Sequence, residues 1–161
     1  MSEKKPLKRS EFLIRMSHDH HDGLLLCWKI RSGIKKEIDI NRIKKYVDWF
    51  FENQLIPHFE MEEADIFPVL GNDHEMVKKA LSEHRRLIRL FQKKDDVLKT
   101  LSLFEEELES HIRFEERVLF NEIQLVASEE KQAEILKKHH GLDKAKCDVW
   151  MDPFWEKVKS N

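Results

Sequence analysis

A chain of 161 residues, 37% charged and 40% hydrophobic, has the size and balance of one soluble domain and excludes a disordered or fibrous polymer. A net charge of −2 excludes a general attraction to nucleic acid or to an anionic membrane surface, and no run approaches the roughly 18 apolar residues of a membrane span. Cys27 and Cys147 sit far apart in no CxxC pattern, and the basic N-terminus lacks a signal-peptide apolar run, so a reducing, cytoplasmic setting is expected.

Few Gly and Pro residues break the chain, and Lys, Glu, Leu and Ile dominate, which favours an all-α fold. Ser17 is a good cap for a first helix running to about Ser32, where Gly33 can end it. Leu24, Cys27, Ile30 and Ile34 share a face whose middle passes through His20. His21 falls at the edge of that face, near Leu25 and Trp28, and His18 in the first turn is expected to be exposed. His20 is the preferred inward residue and His21 the alternative. Cys27 reads as a small core residue.

The stretch KKEIDIN is a connector, after which Asp39 can cap a second helix over about 40–67. Tyr46, Val47, Phe50, Phe51 and Leu55 lead along its apolar face to His58 and Glu62. Pro57 removes one backbone hydrogen bond just before His58; it is either a tolerated kink or a device that aims His58. Pro68 closes the helix and Gly71-Asn72 turn the chain. Asp73 is expected to cap a third helix reaching about residue 94, with Val77, Leu81, His84, Ile88 and Phe91 on one face and His74 solvated in the first turn.

Asp95-Asp96 precede a fourth helix over about 97–126, with Val97, Leu101, Phe104, Leu108, His111, Glu115 and Val118 on one face. Ser128 can cap a short fifth helix that Gly141 stops, placing His139 and His140 at its C-terminal dipole. The tail from residue 142 is weakly helical and broken at Asp152-Pro153; Trp28, Trp150 and Trp155 are candidates to pack it on the helices. Four long segments with short links predict an antiparallel up-down-up-down four-helix bundle over 1–127, with a C-terminal helical extension over 128–161 packed on it.

The second and fourth helices repeat one pattern. Residues 58–67 and 111–120 both read H-x-x-x-E-E-x-x-[IL]-F, which sets a His and a Glu one turn apart on the apolar face of each helix. The first and third helices add one central His each. The inward set is His20, His58, Glu62, His84, His111 and Glu115, with Glu63 and Glu116 as surface or outer acids. A lone core His is ordinarily structural, but imidazoles and carboxylates buried together are costly unless paired or bound to metal. Two carboxylates can bridge two divalent ions about 3.5–4 Å apart while imidazoles take terminal positions, and neutral imidazole suits iron. The repeat suits two metals better than one.

These residues resemble the hemerythrin-like HHE family: Asp19-His20-His21 on the first helix, His58…Glu62 on the second, Glu83-His84 on the third and His111…Glu115 on the fourth, over about 13–125. The resemblance implies a four-helix bundle holding two iron ions, oxo- or carboxylate-bridged, that binds oxygen or a similar diatomic ligand. The chain departs from the oxygen carriers, which place two His one turn apart on the third helix; here Ala80 and Ile88 flank His84. Glu107 or His21 could supply the missing ligand. The leading expectation is therefore a di-iron protein that binds, senses or stores a diatomic, with any signalling or redox partner separate. The alternatives are an enzyme (an oxidase, a nitric oxide or peroxide scavenger, or an iron-cluster repair factor), an iron-homeostasis protein, and a metal-free scaffold.

Overall fold

The computed structural model describes residues 8–139 and 150–156, and these are helical or irregular, with no strand among them. Helix α1 is Glu11–Lys35. Helix α2 runs continuously over 40–66, with two wide π turns, Phe51–Leu55 and Glu62–Ile66, and ends in a 3₁₀ turn, Phe67–Val69. Helix α3 is Glu75–Gln92. Helix α4 spans 97–126 and carries one π turn, Glu115–Leu119. A shorter α5, Glu129–His139, follows. No helix among the described residues is long and apolar enough to cross a membrane.

Two apolar cores show how the helices run. One joins Phe12, Leu13 and Met16 of α1 to Ile66, Val77, Ala80, Leu119 and Ile123. The other joins Leu26, Cys27 and Ile30 to Ile43, Val47, Leu87, Leu90, Leu101 and Phe104. Early residues of α1 and α3 thus meet late residues of α2 and α4, the signature of an antiparallel up-down-up-down bundle. Between the two cores lie the inward His and Glu residues.

Several expected details change. Helix α1 starts at Glu11, with Ser10 rather than Ser17 at its N-cap, because Phe12, Leu13 and Met16 bury at helical spacing in the first core. It also runs past Gly33, whose missing side chain admits Ile43 and Phe154; a Cβ there would stand 2.8 and 2.9 Å from them. Asp39 does cap α2, accepting from the Asn41 N–H at 2.8 Å. His74, not Asp73, caps α3: its Nδ1 accepts from the Met76 N–H at 3.1 Å, so it is half-buried and not merely solvated. The centre of the α3 seam runs through Ala80 and Leu87, leaving Leu81, Ile88 and Phe91 half-buried. Val118 is 40% exposed and Leu119 takes its core position, since the π turn adds one residue.

Ser128 caps α5, accepting from the Lys131 N–H. Ile135 of α5 joins the first core. His139 turns its Nε2 to Asp65 at 3.1 Å, and Lys138 reaches the same carboxylate at 2.6 Å. Trp150 and Trp155 pack on Tyr46, while Trp28 is 46% exposed. His140, Gly141 and Cys147 lie outside the described residues.

Candidate metal centre

Both copies of the repeated motif share a backbone device. Glu62 and Glu115 each open a π turn, in which the carbonyl of the glutamate accepts from the N–H five residues on, that of Phe67 or Phe120. The wider turn places Ile66 under Glu62 and Leu119 under Glu115, so both glutamates stay inward as the helix passes into the first core. A third π turn, Phe51–Leu55, precedes Pro57. Widening the turn relieves the contact between the proline ring and the carbonyl one turn back, so the helix continues to His58.

His20, His58, Glu62, His84, His111 and Glu115 are all buried, none more than 4% exposed. Their inner atoms converge. His58 Nε2 lies 3.1 Å from His20 Nε2 and 3.0 Å from Glu62. His20 Nε2 is 3.2 Å from Glu115, His84 Nε2 is 3.3 Å from Glu62 and His111 Nε2 is 2.8 Å from Glu115. Two donor sets result: His20, His58, Glu62 and Glu115, and His84, His111, Glu62 and Glu115; within each, the ligand atoms lie within 4.8 Å of one another. Both sets share the two glutamates. Phenylalanines wall the rings, Phe59 stacking on His84 at 3.9 Å and Phe120 on His20 at 5.1 Å.

The outer ring nitrogens have separate partners. His20 Nδ1 meets Glu116 at 2.7 Å, His58 Nδ1 meets Asp19 at 2.9 Å, His84 Nδ1 meets Glu63 at 3.0 Å and His111 Nδ1 meets Glu83 at 2.8 Å. Every imidazole therefore has its Nδ1 on a carboxylate and its Nε2 inward.

The electrostatics follow from this crowding. Burial by itself drives an imidazole pKa down, but the carboxylates around each ring outweigh it. The Glu62 charge and the Asp19 contact lift His58 to about 9. Glu115 and Glu83 lift His111 to about 10. His20, beside Glu115, Glu116 and Glu62, is held well above its ordinary value, and His84, beside Glu62 and Glu63, is also raised. Burial opposes ionisation of Glu62, but His58, His20 and His84 hold it well below the usual carboxylate range.

The donors fit a bound metal. Both carboxylate oxygens of Glu62 and of Glu115, and Nε2 of His84 and His111, are buried without a hydrogen bond of acceptable geometry. Orphaned buried polar atoms cost about 1–3 kcal/mol each and more when charged, so six in one spot call for a cation they all face. Four imidazoles and two carboxylates form an N/O set suited to iron and other first-row metals. Of the alternative ligands, His21 is exposed on α1 and Glu107 pairs with Arg86 at 2.6 Å; neither joins the cluster. His18 is exposed. Cys27 is in the second core, where burial, with Glu105 and Glu109 nearby, pushes its thiol up to about 12. Among the described residues, the six inward positions read from the sequence come together; the sequence patterns left Glu63 and Glu116 as surface or outer acids and gave Asp19 and Glu83 no partner.

A family model described as Hemerythrin HHE cation binding domain matches residues 11–102. The match takes in His20, His58, Glu62 and His84 and stops before His111 and Glu115. No curated protein and no solved structure matches the chain.

Proposed function

The chain belongs to the hemerythrin HHE cation binding domain family, and from that premise we propose that it holds two iron ions and binds, senses or stores oxygen or a similar diatomic ligand. One observation carries the reading: the two donor sets that share Glu62 and Glu115. His20 and His58 would hold one ion and His84 and His111 the other, with Glu62 and Glu115 available to both. Bound iron supplies reversible redox chemistry and open coordination positions for a small ligand.

The chain's own residues limit what can arrive. Between α1 and α2 a cavity of about 10 Å³, lined by Asp19, Asp22, Phe50, Gln54, Leu55 and His58, reaches the His58 side of the site. That is room for about one water-sized molecule, a size that suits a diatomic. Phe59, Phe67 and Phe120 keep the remaining walls apolar. A cytoplasmic setting and a separate signalling or redox partner belong to the same reading.

The second reading is an enzyme using the same centre, such as an oxidase or a nitric oxide or peroxide scavenger. It is favoured by the sameness of the two donor sets, each of two imidazoles with the shared Glu62 and Glu115. Anaerobic loading with ferrous iron, followed by elemental analysis and optical spectra in and out of air, tests the proposal. About two irons per chain and a band that comes and goes with oxygen are expected. One zinc per chain, or no iron after reconstitution, refutes it; turnover with consumption of peroxide or nitric oxide transfers the site to the second reading.

A further inference from the structure

Each outer carboxylate reaches a histidine on the next helix, in one direction round the bundle. Asp19 of α1 meets His58 of α2, Glu63 of α2 meets His84 of α3, and Glu83 of α3 meets His111 of α4. Glu116 of α4 then meets His20 of α1 and closes the circle.

The order has a geometrical cause in the sequence. Every one of these acids is the immediate neighbour of an inward residue on its own helix: Asp19 of His20, Glu63 of Glu62, Glu83 of His84, Glu116 of Glu115. Adjacent helical residues are about 100° apart, so such an acid stands at the flank of its helix and faces an adjacent one. On α1 and α3 the acid precedes the inward residue; on α2 and α4 it follows. Those helix pairs run in opposite directions. Reversing both the step and the helix direction leaves the rotational sense unchanged, so all four acids are displaced the same way.

We propose that Asp19, Glu63, Glu83 and Glu116 are a closed ring of positioning residues, each fixing the tautomer and orientation of the histidine on the following helix so that its Nε2 lone pair faces the metal. The proposal rests on the metal-binding reading above. In the neutral imidazole, a carboxylate on Nδ1–H puts the lone pair on Nε2 for coordination and makes it a stronger donor. Because the contacts run in a circle, each helix is tied through its acid to one neighbour and through its histidine to the other. Rotating any one helix therefore disturbs at least two ligands. Cations assist two of the acids, the exposed Lys79 at Glu83 and the half-buried Arg9 at Glu116.

Glu63 provides the cleanest test, since its side chain is 43% exposed and its loss leaves both cores intact. Zinc, which is redox-silent and diamagnetic, is the probe. In Glu63→Ala, zinc affinity is expected to fall about 10- to 100-fold, and in Glu63→Gln, which keeps an acceptor but loses the charge, by less. Long-range proton–nitrogen spectra of the zinc-loaded protein should show the His84 ring signals moving in both variants and those of His58, on the same helix as Glu63, staying in place. Affinity within about twofold of wild type in both variants, or movement at His58 instead of His84, overturns the ring while leaving the metal centre standing. A wild-type protein that takes up neither zinc nor iron overturns the metal reading and the ring with it.

Discussion

His20 and His21 are neighbours with opposite environments. His20 is buried with Nε2 among His58, Glu62 and Glu115, while His21, about 100° further round α1, is exposed to solvent. His20→Ala is therefore expected to remove one of four imidazoles and lower the iron content or bleach the optical spectrum; His21→Ala should change neither. Elemental analysis and spectra of the two variants check this, and the reverse ranking defeats the assignment. The exposed cost of the outer acids is also set at this scale. Glu63 and Glu116 look like ordinary surface glutamates when only their position on a helix is considered. Their oxygens nonetheless end 3.0 and 2.7 Å from histidine nitrogens of other helices.

The π turns act at the scale of the element. In α4 the turn Glu115–Leu119 puts Leu119 in the core and sends Val118 to the surface. Deleting Val118 should restore ordinary α spacing, since Leu119 would then fall three residues after Glu115 and remain on the core face. Helical circular dichroism is expected to persist while the metal content falls below roughly half, because the wide turn that opens at Glu115 is gone. A deletion variant with its full complement of metal would show that the turn has no part in placing Glu115. Pro57 follows the same logic: the π turn just before it lets the helix pass the proline and deliver His58 inward.

For the molecule as a whole, the balance lies between two apolar cores and the polar layer between them. A fully buried Leu, Ile or Phe contributes about 1.5–3 kcal/mol, and such residues fill both cores, so the bundle is expected to stay helical when metal is removed. The metal-free layer should nevertheless be sensitive to pH. His58 titrates at about 9 and His111 at about 10 in the folded protein, against 6.5 ordinarily. The folded state thus holds protons that the unfolded chain releases, and this stabilisation is complete below about pH 6.5 and lost as the pH rises through 9 and 10. Scanning calorimetry of chelator-treated protein should show Tm falling from about pH 7 to about pH 10, whereas the metal-loaded protein, with Nε2 coordinated, should fall less and release protons as metal is added. A metal-free Tm that is flat or rises over that range contradicts the assigned charge state.

The helical class, the four long segments and the inward positions of the two HxxxE motifs were legible in the sequence, because apolar residues at 3–4 spacing define a face and a His or Glu on that face has nowhere to go but inward. The caps at Asp39 and Ser128 were legible for the same local reason: their hydrogen bonds span only two or three residues. The start of α1 was not, because Ser17 has the side chain of a good cap, and only the core that receives Phe12, Leu13 and Met16 carries the helix back to Ser10, which holds the N-cap position without a side-chain bond. Nor were the π turns, which shift the face by one residue and exchange Val118 for Leu119. The circle of outer acids was decided by tertiary structure alone: an acid's position on its own helix sets its angle, but its partner depends on which helix lies beside it and in which direction that helix runs.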